Sequence, residues 1–394
     1  MKGLSNFSQT FFLFLIFFFQ AFSSPWPKNV GLIELFLGVF LGLFFYPLFT
    51  RISFLHIIFY LLIIFYSIVS FYYQNNISDF ARDFLPMLFM ALPFLYYVNF
   101  FPFYHRFDIQ KIRNFIFVVC FIGIVYLVRI YIDWGSLFGL NFLNQPLILT
   151  TDYLGQSPSM FMLGAFSLLV SLFYANINLI IRAVSFVVFI FVSVVYYTQS
   201  LRAPLILIAL PSLIYFIYIL KLPTSYKLIG ALASSLLLMG LFIGSNIFDI
   251  FDKIIYKFTE HGFNGKLFEY IDVFNFLYIG GFFFGKGFGA LWESAIEPGV
   301  MVSYAHSLIN YFAIKFGFLG YFLSFLYILF FLRLFLSLFS TKLPIFSNFF
   351  VLAFLPCFAI NVFLEPGYKT LEFNLLLFLL IHIYLSSRYE NRYR

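Results

Sequence analysis

The sequence predicts an all-α, polytopic integral membrane protein, and three observations carry that prediction. Hydrophobic residues make up 63% of the 394 residues, whereas charged residues make up only 10%. A soluble domain has roughly a quarter of its residues charged, so this composition cannot cover a water-exposed surface. The apolar residues form runs of about 17–25 residues, the length that a helix needs to cross a bilayer. Most of the charged residues lie between these runs. We therefore expect a single transmembrane domain over residues 1–394, interrupted by one long loop at 249–317.

About twelve apolar runs satisfy the length criterion for a membrane span. Several contain Gly or Pro, which membrane helices tolerate because neighbouring groups satisfy the freed backbone. The first run also has some features of a signal peptide, although we interpret it as a plain span. In chain order, the predicted spans are Phe7–Phe22, Val30–Phe49, Ile52–Tyr73, Phe84–Phe101, Asn114–Ile132, Ser159–Ala175, Ala183–Thr198, Pro204–Leu220, Leu228–Phe248, Phe318–Phe339, Phe346–Leu364 and Leu371–Leu385.

The distribution of charge between the loops predicts the orientation, because Lys and Arg in short loops favour the cytoplasmic side. With a cytoplasmic N-terminus, the short loops that carry Arg51, Arg106, Lys221 and Lys342 are all cytoplasmic. Most of the Asp and Glu residues then fall on the outer side, together with the 249–317 loop. We expect both termini in the cytoplasm and this loop on the opposite face.

Several classes of protein lose support from the sequence. The net charge is +7, but the basic residues occur singly between apolar runs and do not form a block. This distribution indicates membrane topology and not a nucleic-acid-binding surface. Cys120 and Cys357 lie inside apolar runs without a second Cys or a His at metal-binding spacing. The chain has no phosphate-binding P-loop, no dinucleotide glycine fingerprint and no HExxH motif. We expect no cofactor, no metal and no nucleic-acid partner.

Arg202 is the first candidate for a functional residue. It lies in Thr198-Gln-Ser-Leu-Arg-Ala-Pro204, a short turn between two predicted spans at the outer boundary. An arginine on that side works against the positive-inside rule, so topology does not account for it. Its planar guanidinium suits bidentate binding of a phosphate. The alternative is an arginine that extends to lipid headgroups.

His306 is the second candidate, in the long outer loop. Imidazole titrates near neutral pH and can accept a proton from an attacking hydroxyl. Asn310 follows four residues later, so a helix would place both side chains on one face, and we expect Asn310 to bind substrate. The alternative is an interfacial histidine that is hydrogen-bonded to nearby backbone.

A glycine run, Gly285-Lys286-Gly287-Phe-Gly289, precedes His306 in the same loop. Its backbone N–H groups, that of Gly287 in particular, could approach an anionic group. Lys286 and Lys266 add positive charge to a loop that is otherwise rich in acids. The alternative for the glycines is close packing against helices.

The order of these motifs resembles the O-antigen ligase/polymerase family of bacterial inner-membrane glycosyltransferases. The resemblance covers Gln199 to Leu364, and the last motif that carries it is Phe316-Gly-Phe-Leu-Gly320, which follows His306. This chain departs from the family pattern at three places. Ser200-Leu-Arg202 has one extra residue, Ser307 replaces the usual Asn, and Lys266 stands where an arginine is common.

The resemblance implies transfer of a glycan from an undecaprenyl diphosphate carrier at the periplasmic face. Arg202 would then stabilise the diphosphate, and His306 would act on the acceptor hydroxyl. We favour an O-antigen polymerase, which extends a lipid-linked glycan and can work with a chain-length regulator protein. One alternative is an O-antigen ligase that transfers the glycan to lipid A-core. A second alternative, from another class, is a flippase for the lipid-linked glycan. Transporters tend to have paired, similarly broken helices in their two halves, and this sequence shows no such pairing.

Overall fold

The structure is a computed structural model, and it describes thirteen stretches of the chain. They are residues 15–16, 18–22, 36–41, 43, 54–98, 109–138, 152–174, 178–199, 201–220, 263–293, 301–302, 304–341 and 343–393. The predicted span Leu228–Phe248 lies outside them, as do parts of the first two predicted spans.

The described residues are mostly helical, so the predicted all-α class is confirmed in its coarse form. The helices are α1 Phe54–Tyr72, α2 Ile77–Val98, α3 Ile109–Phe138, α4 Pro158–Phe173, α5 Leu179–Thr198, α6 Arg202–Leu207, α7 Leu210–Leu220, α8 Phe263–Tyr278, α9 Leu308–Phe316, α10 Phe318–Phe339, α11 Ile345–Phe363 and α12 Leu371–Tyr393. A single helical turn at Asp152–Gly155 precedes α4, and a 3₁₀ turn at Pro366–Lys369 precedes α12. Strands β1 (Trp292–Glu293) and β2 (Met301–Val302) pair antiparallel.

Five of the described helices are long and apolar enough to cross a membrane. These are the segments Asn114–Ile132, Leu179–Thr198, Phe318–Phe339, Ile345–Phe363 and Leu371–Arg388. Only 22% of the residues in the apolar window of α5 are buried inside the protein. A soluble protein does not expose an apolar surface of this extent, so these side chains face lipid. The chain is a multi-pass membrane protein.

Two predicted elements differ from the structure. The span predicted at Pro204–Leu220 is interrupted between α6 and α7. The segment 249–317, predicted as a loop, contains α8, the β1–β2 ribbon and α9 among its described residues. The sequence did not predict α8 because the apolar residues of this helix alternate with Glu269, Asp272 and Asn275 and do not form a continuous run.

Polar side chains join several helix ends at one end of the helical bundle. Glu372, at the start of α12, accepts hydrogen bonds from the Tyr126 hydroxyl (2.5 Å), the Gln20 amide (3.1 Å) and the Ser159 backbone N–H at the start of α4 (3.2 Å). The Gln199 side chain, at the end of α5, lies against Gly155 just before α4. The backbone of Arg202 therefore begins α6 at this same end.

Candidate active site

Two side chains and one backbone N–H meet at the carboxylate of Glu269 on α8. Glu269 Oε2 lies 2.7 Å from His306 Nδ1, and Oε1 accepts a hydrogen bond of 2.9 Å from Asn310 Nδ2. The backbone N–H of His306 also donates to Oε1, at 3.0 Å. We call Glu269, His306 and Asn310 the carboxylate–histidine cluster. The sequence predicted that His306 and Asn310 lie close together. In the structure, both side chains contact Glu269, which the sequence did not single out.

Hydrogen bonds on both sides of His306 hold it in place. The Trp292 indole N–H donates to the carbonyl of Tyr304 (2.8 Å), and the Tyr368 hydroxyl donates to the carbonyl of Ala305 (2.7 Å). Ser307 is the N-cap of α9, and its hydroxyl accepts from the backbone N–H of Asn310 (3.2 Å). The sequence had suggested that His306 and Asn310 share one face of a helix. In the structure, His306 instead precedes the helix. Asn310 lies in its first turn.

Glu269 and His306 differ in their access to solvent, and that difference suits a proton-transfer pair. The side chain of Glu269 is 2% exposed, whereas that of His306 is 22% exposed. Burial raises the pKa of Glu269, but the hydrogen bonds from His306 and Asn310 outweigh that effect and lower it. Glu269 is therefore a carboxylate at neutral pH, and its Oε2 accepts a hydrogen bond from the N–H at Nδ1 of His306.

A carboxylate at Nδ1 fixes the tautomer of a neutral histidine with its lone pair on Nε2. Among the described residues, no hydrogen bond reaches His306 Nε2. The ring of Tyr304 packs edge-on against the imidazole, with the ring centres 5.8 Å apart. The imidazole is consequently oriented through Nδ1, and its side chain is partly exposed. This arrangement can take a proton from a hydroxyl that approaches Nε2.

The glycine run is held by its own backbone hydrogen bonds. The N–H of Gly287 donates to the carbonyl of Lys315 (3.1 Å), and the N–H of Lys286 donates to the carbonyl of Ile314 (3.0 Å). Gly287 has a φ of +74°, and a Cβ there would lie 2.6 Å from the backbone nitrogen of Ser70. The run therefore packs α9 against α1, and its amides at 286 and 287 are already engaged.

A buried ion cluster lies at the same junction. Asp83 forms an ion pair with Lys315, and it also accepts a hydrogen bond from the N–H of Gly289 (2.8 Å). Lys369 Nζ lies 3.6 Å from the other oxygen of Asp83 and 4.0 Å from the centre of the Tyr311 ring. Burial lowers the pKa of Lys315, and it lowers the pKa of Lys369 to about 7.

Two of the remaining predicted residues lie apart from the carboxylate–histidine cluster. Lys286 Nζ lies 3.7 Å from the centre of the Phe276 ring, seven residues from Glu269 on α8, or roughly 10 Å along the helix. Gly287 contacts the C-terminal end of α9, whereas Asn310 is near its start. Arg202 is the first residue of α6 and Lys266 lies in α8, and the side chains of both are outside the described residues.

Four residues in or next to the site were not singled out by the sequence: the buried residues Glu269, Asp83 and Tyr368, and Lys369, whose side chain is 9% exposed. The sequence selected Arg202 because it is a positive charge on the predicted outer side, and the predicted topology places Lys369 on that side as well. Glu269 is marked by its spacing from Val273 and Leu277, which places it on the buried stripe of α8. Among the described residues, no group of three His, Cys, Asp or Glu side chains could hold a metal ion.

No protein-family model, curated protein or solved structure matches this chain.

Proposed function

We propose that this protein is a glycosyltransferase of the bacterial inner membrane that polymerises undecaprenyl-diphosphate-linked oligosaccharide repeat units, an O-antigen polymerase. The proposal includes about twelve spans, cytoplasmic termini and a periplasmic 249–317 segment. The observation that carries it is the carboxylate–histidine cluster, a buried carboxylate that orients a partly exposed imidazole. It lies in a protein whose surface faces lipid, as an enzyme for a lipid-linked substrate requires.

The proposed reaction needs one base and one leaving group. His306 Nε2 takes the proton of the acceptor hydroxyl as the acceptor oxygen bonds to the anomeric carbon of the donor glycan. The bond from that carbon to the diphosphate oxygen breaks, and undecaprenyl diphosphate leaves with the electron pair. Glu269 stabilises the imidazolium that forms. The proton then passes from Nε2 to water or to the released diphosphate.

The donor diphosphate gains negative charge as the glycosidic bond breaks, so the reaction calls for a cation. Arg202 fills this role in the proposal, since its guanidinium can bind a phosphate bidentately. Its helix begins at the end of the bundle that carries the polar helix ends. Lys286 and Lys266 are secondary candidates for the same diphosphate.

The lipopolysaccharide of a deletion strain tests this function. We expect lipid A-core with a single repeat unit on a gel, restored to a ladder by the wild-type gene but not by His306→Gln at equal protein level. Loss of every O-antigen band would instead indicate a ligase or a flippase. Accumulation of lipid-linked units on the periplasmic side separates the ligase from the flippase. An unchanged ladder would refute the proposal.

A further inference from the structure

Helix α8 presents a buried face to the rest of the protein. Glu269, Val273 and Leu277 are spaced by four residues, and their exposures are 2%, 0% and 1%. With 3.6 residues per turn, this spacing defines one continuous stripe along the helix. The stripe packs on the protein and carries the carboxylate that binds His306.

The opposite face of α8 is apolar and exposed. Ile271, Phe274 and Tyr278 are 55%, 49% and 78% exposed, and their spacing places them within about 60° of one another around the helix. The apolar surface continues into the turn that follows, where Ile279 is 83% exposed and Phe283 is 66% exposed. We call this set the apolar arc of α8.

The third face of α8 is polar and exposed. Asp272 and Asn275 are separated by three residues, and both are exposed. Asp272 lies about 100° around the helix from Ile271, between the apolar arc and the buried stripe, and Asn275 lies about 40° from Ile271, at the polar edge of the arc. A helix with separate apolar and polar exposed faces fits a boundary between hydrocarbon and water.

The apolar arc is continuous with the lipid-facing surface of two other helices. The ring of Phe284, in the turn after α8, packs against Phe65 of α1 with centres 5.5 Å apart. The ring of Phe282 stacks on Phe318, the first residue of the membrane span α10, at 6.2 Å. Phe274 of the arc also contacts Phe282, with ring centres 6.1 Å apart. Phe65 is 40% exposed and Phe318 is 60% exposed, so the exposed apolar surface extends from the arc onto α1 and onto the membrane span α10.

We propose that α8 is an interfacial helix whose apolar arc inserts among the acyl chains of one lipid leaflet while Asp272 and Asn275 face water. The occupant of the arc is bilayer lipid, because the arc joins a surface that hydrocarbon already covers. Such helices lie roughly 5–10 Å into the boundary between headgroups and chains. The buried stripe then holds Glu269 and His306 at the level of the lipid phosphates. This contact with lipid is independent of any reaction at His306.

Spin labels test the position of α8 in the complete protein, reconstituted in phosphatidylethanolamine/phosphatidylglycerol nanodiscs. Single cysteines replace Ile271, Tyr278, Asp272 or Asn275 in a background with Cys120→Ala and Cys357→Ala. Collisions of the nitroxide with oxygen report hydrocarbon, and collisions with Ni(II)-EDDA report water. We expect the oxygen-to-nickel ratio to be high at 271 and 278 and low at 272 and 275.

Three results would overturn the proposal. Similar nickel accessibility at all four positions would place the whole helix in water. Protection from both reagents at 271 and 278 would mean that protein, including a second copy of this chain, covers the arc. A high oxygen ratio only after addition of undecaprenyl diphosphate would make the arc a groove for the donor chain. Quenching of Tyr278→Trp by brominated lipids, compared with Asn275→Trp, gives the same answer without the labelled cysteines.

Discussion

The substitution Glu269→Gln probes the candidate site at its least ambiguous contact. A glutamine keeps the size of the side chain, but it replaces one acceptor oxygen with an NH₂ donor. In the structure, both carboxylate oxygens accept, from His306 Nδ1, from the His306 backbone N–H and from Asn310 Nδ2. If the NH₂ group faces Nδ1, the imidazole must carry its proton on Nε2 and cannot accept one there. If the NH₂ group faces Asn310, the imidazole keeps an acceptor at Nδ1 but loses the negative charge that stabilises the imidazolium. Both orientations weaken the base.

The expected loss follows from the contact between Glu269 and His306. A hydrogen bond to a charged group contributes about 1.5–3 kcal/mol, and loss of a general base lowers the rate by about 10²–10⁴-fold. A 10²-fold loss corresponds to ~2.7 kcal/mol of transition-state stabilisation. We therefore expect Glu269→Gln to slow chain extension by roughly 10²-fold or more. The substrate affinity changes little, because Glu269 is buried behind His306.

Initial rates of chain extension in proteoliposomes measure this effect. Asp272→Asn is the matched control, since it removes an exposed acid from the same helix, and we expect its rate to stay near that of the wild type. Protein amount and thermal midpoint are compared in parallel. A Glu269→Gln enzyme that is folded and as fast as the wild type would refute the role of the carboxylate–histidine cluster.

Three further predictions concern residues around the cluster. Arg202→Ala removes the guanidinium, so we expect it to lose about 2–5 kcal/mol of diphosphate binding in titrations. Arg202→Lys keeps the charge but not the bidentate fork, so it should not restore that binding; wild-type affinity of Arg202→Ala would favour the headgroup alternative. Gly287→Ala forces a side chain to φ +74° and into the Ser70 backbone, so the protein should lose at least about 1–3 kcal/mol of stability and unfold at a lower temperature. An unchanged thermal midpoint would contradict the packing role. The pKa of Lys369 is about 7 in the folded protein and higher in the unfolded chain, so the free energy of unfolding should rise from pH 7 towards pH 10. Lys369→Met should make that rise smaller. An equal rise in both proteins would contradict the lowered pKa of Lys369.

The sequence predicted the membrane class and most of the described long helices, because a continuous apolar run of span length has few other uses. It did not predict α8, whose apolar residues occupy two separate faces. Glu269 and Asp272 look alike along the chain, and only the fold makes one buried and the other exposed. The glycine run illustrates a different limit. Its sequence suited an anion-binding loop as well as close packing, and only the structure shows its amides at 286 and 287 bonded to α9.

The central claim is that His306, oriented by Glu269, accepts a proton during glycan transfer, and its pH dependence tests that claim most directly. Purified protein in proteoliposomes is supplied with undecaprenyl-diphosphate-linked repeat units, and released undecaprenyl diphosphate is measured as a function of pH. The wild-type rate should rise with pH, as for any reaction that needs a general base in its unprotonated form. His306→Gln should be about 10²–10⁴-fold slower and should lack that rise. A His306→Gln protein with the wild-type rate and the same pH profile would contradict the claim.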